Sequence, residues 1–188
     1  MTILIAGLIV FLGIHLVPAL PALRARLSGK LGEGRYKGLF SALSGVGLLL
    51  IVVGYAYAPR GAQLFAPYAE ARAVAPYAMI ASFMLLAAAN MKSHIRMTLV
   101  HPMLFGVGIW ALVHLLANGH ARATLLFGAF LAYAVLDVIS ATARGARKTF
   151  RPDAKFDLIA LVSGTVLALL FMYCHRWIIG VQVVNWFN

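Results

Sequence analysis

Six apolar stretches, at residues 3–20, 38–58, 74–91, 102–118, 122–140 and 157–178, fill most of a 188-residue chain. Each is long enough to cross a hydrocarbon layer of about 30 Å at about 1.5 Å per residue. A backbone in lipid has no water to bond, so runs of this kind form transmembrane helices. The expected fold is all-α: a polytopic membrane protein of about six transmembrane helices in a bundle, with residues 1–188 as a single integral membrane domain. A mean hydropathy of +0.91 and a 63% hydrophobic composition agree, since soluble domains lie nearer half apolar. The first stretch lacks a basic start, and Pro18-Ala19-Leu20-Pro21 is a poor cleavage site. It therefore reads as the first spanning helix and not as a signal peptide.

The charges define two sides. Loops one, three and five carry Arg24, Arg26, Lys30, Arg35, Lys37, Lys92, Arg96, Arg144, Arg147, Lys148, Arg151 and Lys155. The opposite side carries only Arg60, Arg72, Arg122 and Arg176. By the positive-inside rule the odd loops are cytoplasmic and both termini periplasmic, as in a bacterial inner membrane protein. The net charge of +11 is thus a topology signal spread over loops, suited to anionic lipid head groups and not to nucleic acid. The single cysteine, Cys174, excludes internal disulfides and cysteine-based zinc or iron–sulfur sites. Pro67 and Pro76 bracket the second loop as a helix end and a helix start. Ser41, Gly45 and Gly47 on the second helix permit close approach of a helix or of a flat cofactor.

Three histidines, His15, His114 and His175, lie in the spans. Ionisable groups at membrane depth are costly and mark sites. Each also has an ordinary reading: His15 and His175 as interfacial residues near helix ends, His114 as a buried imidazole bonded to a neighbouring carbonyl. His101 precedes Pro102, which starts the fourth span. His101 and His114 point about 140° apart on that helix and cannot serve one metal ion. His94 and His120 fall in loops. Asp137 lies within a span, near its cytoplasmic end, and it is expected to pair with an arginine of the first or fifth loop. The chain has no phosphate-binding glycine loop, HExxH or serine-centred elbow.

The string His101-Pro-Met-Leu-Phe-Gly, Trp110-Ala-Leu-Val-His114-Leu-Leu-Ala-Asn-Gly119 and Leu126-Phe-Gly-Ala-Phe130, with Gly34-Arg-Tyr-Lys-Gly-Leu-Phe-Ser41, resembles the NnrU family. These are bacterial membrane proteins linked to denitrification and related to 15-cis-zeta-carotene isomerase. The resemblance implies haem b, its iron held by two histidines that match His15 and His114. His175 and His101 are the reserve ligands. Arg35, Tyr36 and Arg96 would meet the propionates, and Trp110 would pack against the porphyrin. It implies redox or isomerase-like chemistry on an apolar substrate such as a polyene or a quinone, or on a nitrogen oxide. The alternatives are an accessory or assembly subunit bound to a membrane protein partner, and an S-adenosylmethionine methyltransferase. Val100 stands where the relatives carry Arg, Leu16 where the isomerase has a small polar residue, and His120 where an acid is common. These departures bear on the activity more than on the fold. Depth counting sets His15 and His114 about 6 Å on opposite sides of the midplane. Two ligands of one iron have nitrogens only about 4 Å apart. By the same count His175 matches His114 better.

Overall fold

The computed structural model describes residues 1–145 and 149–184; Arg147 and Lys148 of the fifth loop lie outside them. The chain folds into α1 (Thr2–Leu16), a 3₁₀ turn (Val17–Ala19), α2 (Pro21–Leu31), α3 (Glu33–Tyr57), α4 (Ala69–Ala88), α5 (His94–Leu99), α6 (Pro102–Ala117), α7 (Ala121–Ala143) and α8 (Ala154–Ile178). Among the described residues, five helical segments are long and apolar enough to cross a membrane, the first running on through the 3₁₀ turn. α6, with 16 residues, is a shorter apolar helix. Large apolar side chains face outward, including Leu48, Leu49 and Val52 on α3 and Leu158, Val162 and Val166 on α8. Water would penalise those faces, and lipid tails match them.

Local chemistry sets the element ends. Pro18 cannot supply the amide an α-helix needs there, and α1 gives way to the 3₁₀ turn after Leu16. Pro21 and Pro102 open α2 and α6, where a missing amide costs nothing. Asp153 caps α8 by accepting from the Lys155 amide at 3.0 Å. Ser93 caps α5 by accepting from the Arg96 amide at 3.1 Å. Asp157 reinforces α5 from α8: its carboxylate accepts from the amides of His94 at 3.1 Å and Ile95 at 3.0 Å. Two boundary expectations are corrected. The first loop is largely the helix α2. Pro76 lies inside α4, which begins at Ala69, where the Tyr68 amide donates to the Leu116 carbonyl at 3.0 Å.

The apolar helices pack in the order α3, α1, α7, α6, α4, α8. The α1–α3 seam is nearly backbone on backbone. A Cβ on Gly7 would stand 2.6 Å from the Ile51 nitrogen, and one on Gly47 would stand 2.7 Å from the Phe11 nitrogen. On α8, Gly164 similarly admits the Met84 backbone of α4. Gly45 meets nothing within 4 Å and Ser41 is exposed, so of the three small residues marked on α3 only Gly47 is used in packing. Between α4 and α6, the buried Ser82 hydroxyl donates to the Gly106 carbonyl at 2.8 Å. One apolar cluster joins Leu4, Leu8, Ile51, Leu126 and Phe127; the other joins Met79, Val113, Ala168 and Met172. Trp110 packs against both.

The loops gather at two ends of the bundle. At one end Arg144 donates to the Ala19 carbonyl at 2.7 Å and the Asp153 amide to the Lys92 carbonyl at 2.9 Å, joining loops one, three and five. At the other end the Leu64 amide donates to the Gly119 carbonyl at 2.7 Å and the Ala121 amide to the Ala62 carbonyl at 2.9 Å, joining loops two and four. Gly119 is required there. It has φ 114°, and a Cβ would collide with the Phe65 carbonyl oxygen.

Candidate functional site

His15 stands in the last turn of α1, half-buried. Its Nδ1 lies 2.6 Å from the Phe11 carbonyl oxygen one turn back. A carbonyl only accepts, so Nδ1 carries the proton and, in the neutral ring, Nε2 keeps the lone pair. The ring lies against Phe11 at 4.2 Å, Phe40 of α3 at 5.1 Å and, edge-on, Tyr133 of α7 at 6.3 Å between centroids.

His114 repeats the device in the last turn of α6. Its Nδ1 donates to the Trp110 carbonyl at 2.8 Å, so the lone pair again falls on Nε2. Its ring meets Phe127 of α7 at 4.8 Å and Trp110 at 5.5 Å. The His114 carbonyl in turn accepts from Asn118 Nδ2 at 2.7 Å, which ties the Ala-Asn-Gly turn to the histidine. His175 shares the tautomer: its Nδ1 donates to the Val181 carbonyl at 2.8 Å.

The two expected ligands meet α7 six residues apart, at Tyr133 and Phe127, an axial offset of about 9 Å. Stacked aromatic rings link them. Phe11 meets Phe130 at 5.7 Å, Phe130 meets Trp110 at 5.4 Å, and Trp110 meets Phe127 at 5.0 Å. Either histidine alone offers the right donor for a haem iron. For both to bind one iron, a porphyrin must take its place among these rings.

The remaining expected residues are spread over the basic-loop end. Tyr36 is buried on α3, one turn before Phe40, and its hydroxyl has no hydrogen-bond partner among the described residues. Arg35 beside it is exposed. Arg96 is engaged elsewhere, donating to the Met91 carbonyl at 3.2 Å and lying over the Phe150 ring. His101 forms the N-terminal boundary of α6, a helix length from His114. Val100 before it sits at φ 59°, a conformation that a β-branched residue adopts only under constraint. Asp137 pairs with Arg144 of the fifth loop at 3.8 Å, as expected from the sequence.

Sequence reasoning missed the aromatic wall of Phe11, Phe127, Phe130 and Tyr133. It also missed an anchor at the opposite end, where Arg122 donates to the carbonyls of Ala58 at 2.7 Å and Tyr55 at 3.0 Å and lies over the Tyr55 ring. Aromatic residues in an apolar helix carry no sign of the helix they will meet. The FG.F string at Phe127–Phe130 was visible only as part of the family pattern.

Helices that alternate between two loop clusters, with lipid-facing apolar surfaces and imidazoles in the spans, define a polytopic helical membrane protein. More narrowly, the chain belongs to the NnrU family: the family model, described as NnrU protein, matches residues 3–183. Comparison with curated proteins and with solved structures gave no match.

Proposed function

We propose that this NnrU-family protein binds haem b and uses it for redox or isomerase-like chemistry linked to denitrification or nitric oxide metabolism. The observation that carries this reading is the shared state of His15 and His114. Both hold the proton of Nδ1 on the carbonyl four residues back, which presents the Nε2 lone pair at membrane depth. Metal-binding histidines are oriented in this way, with the second nitrogen bonded to a backbone carbonyl or a carboxylate. The aromatic wall supports the reading, since flat rings at that seam suit a porphyrin face. The buried, unpartnered Tyr36 hydroxyl supplies a donor for a propionate.

The haem would supply an iron that exchanges electrons or, when a ligand leaves, binds a small molecule or a polyene. The chain's own part is to fix the tautomers, exclude water with Phe11, Trp110, Phe127 and Phe130, and hold propionates near Tyr36 and Arg35. His114 is the principal ligand of this proposal, with His15 as its partner and His175 in reserve. The basic-loop end faces the cytoplasm in this reading, and its arginines and lysines meet anionic lipid.

The test is an optical spectrum of detergent-purified protein from haem-replete cells, oxidised and reduced, beside His15→Ala, His114→Ala and His175→Ala. The expected result is a haem b spectrum lost in His114→Ala and made five-coordinate in His15→Ala. A colourless, folded wild type, or a spectrum indifferent to all three substitutions, overturns the proposal.

A further inference from the structure

α2 joins α1 to α3 at the basic-loop end, and the haem reading makes no use of it. It has 11 residues, none of them buried. Successive residues turn about 100° around a helix, so Leu20, Leu23, Leu27 and Leu31 fall within about 80° on one face. Leu20, Leu23 and Leu31 are exposed, and Leu27 is half-buried. Cations stand at both edges of this stripe. Arg24, next to Leu31 around the helix, is held by Glu33 of α3 at 3.3 Å. Arg26 and Lys30, next to Leu23, are exposed. Among the described residues neither side chain has an ion pair or a hydrogen-bonded partner. The far face carries only Pro21, Ala22, Ala25 and Gly29.

A row of leucines left open at the end of a helical bundle is costly in water. At this end lipid is the near neighbour. Leu16 of α1 and Leu39 of α3 are also exposed there, so the stripe continues the outward apolar surface of the two helices that α2 connects. An 11-residue helix is only about 16 Å long, too short to cross the hydrocarbon layer. A short helix with an apolar face and cations at its edges suits the boundary between head groups and acyl chains.

We propose that α2 is an in-plane interfacial helix that docks on anionic phospholipid. Its leucines enter the head-group boundary, and Arg26 and Lys30 pair with head-group phosphates. The sign of the charge selects this partner. A second copy of the chain would set like charges against Arg26 and Lys30, whereas an anionic leaflet offers opposite charge beside apolar chains. Glu33 keeps α2 on α3, accepting from Arg24 and pairing with Lys37 at 3.4 Å. Gly32 at φ 79° makes the turn between the two helices. The surface lies outside the histidine seam, so the proposal holds with or without haem.

The test uses the full chain in a Cys174→Ala background, with an environment-sensitive fluorophore on Leu23→Cys. The protein is placed in lipid nanodiscs of phosphatidylcholine alone, or of phosphatidylcholine with phosphatidylglycerol. Nanodiscs open both faces to water, so the result does not depend on topology. Quenching by a phospholipid with a nitroxide high on its acyl chain reports contact with the leaflet, and quenching by acrylamide reports water. In anionic discs position 23 should be quenched by the nitroxide and shielded from acrylamide, while a fluorophore on Ala25→Cys should stay open to acrylamide. Each Lys or Arg near an anionic surface strengthens binding by about fivefold, so Arg26→Gln with Lys30→Gln should lower the ratio of docked to free helix by about 25-fold. Arg26→Lys with Lys30→Arg keeps both charges and should keep the ratio. Nitroxide quenching at position 23 that is equal in neutral and anionic discs, or unchanged in the glutamine variant, overturns the proposal. So does a position 23 closed to both quenchers, which marks cover by protein, or a response to inorganic phosphate in neutral discs, which marks a site for soluble anions.

Discussion

Substitution of Gly47 by alanine tests how α1 is placed, and with it His15. A Cβ at Gly47 would lie 2.7 Å from the Phe11 nitrogen and 2.9 Å from its Cα, whereas ordinary contact begins at 3.4 Å. The obstructing atoms are backbone and cannot rotate away. The helices must part by about 0.7–1 Å, which forfeits roughly a quarter to a half of the dispersion attraction across the gap. Overpacking of this kind costs about 1–3 kcal/mol, or roughly 5- to 150-fold in the folded ratio. Gly45→Ala, two residues earlier on α3, is the control. Nothing lies within 4 Å of that position, and alanine relieves a helix penalty of up to about 1 kcal/mol. Unfolding by SDS titration in mixed micelles, followed by circular dichroism, gives both values. Gly54 meets Leu4 in the same seam, so Gly47→Ala with Gly54→Ala should cost less than the two singly, because the first has already opened the seam. A neutral Gly47→Ala, an equal cost at Gly45, or full additivity of the pair would refute the reasoning. Phe11 also supplies the carbonyl that orients His15, so Gly47→Ala should change any spectrum that depends on His15 while leaving the His114 end unaltered.

Two further outcomes follow from the ends of the bundle. The Asp153 carboxyl sits below its ordinary pKa of 3.8, first because the Lys155 amide donates to it. A depressed folded-state value means its contribution is complete above 3.8 and is lost as pH falls below it, so the first turn of α8 should lose amide protection there. Asp153→Asn keeps a capping acceptor and should remove that pH dependence; acid sensitivity retained in the variant would exclude this origin. For orientation, Ser28→Cys and Gln63→Cys are placed in a Cys174→Ala background. A membrane-impermeant maleimide should label position 63 in intact spheroplasts and position 28 only after permeabilisation, and the reverse pattern would invert the topology.

The membrane fold was legible because burial in lipid demands long apolar runs, and such runs are a property of composition. What the sequence hid was decided by contact. Gly45 and Gly47 look alike in a string, yet they lie about 200° apart around α3, and only one meets Phe11. Pro76 reads as a helix start because proline favours first turns. The observed start at Ala69 is fixed from outside the helix, by the Tyr68 amide on Leu116 and by Arg72 Nε donating to the Ala117 carbonyl at 3.2 Å. α2 carries too many basic residues to register as a span, and it forms a short helix at the basic-loop end of the bundle.

The histidines were legible for the opposite reason: an imidazole in lipid is expensive, so its presence needs a purpose. Their relation was also partly legible. Depth counting separates His15 from His114 by about 12 Å, and their rings meet α7 six residues apart, at Tyr133 and Phe127. The lateral arrangement could not be counted. α6 lies between α7 and α4, and Trp110, one turn before His114, packs against the apolar clusters on both sides. His114 therefore sits where the two halves of the bundle meet, against Phe127 of α7 and one turn from Trp110. A ligand on His114 acts on both halves at once, whereas one on His15 acts through the α1–α7 seam, among the thinnest in the row. That asymmetry is the structural ground for ranking His114 first.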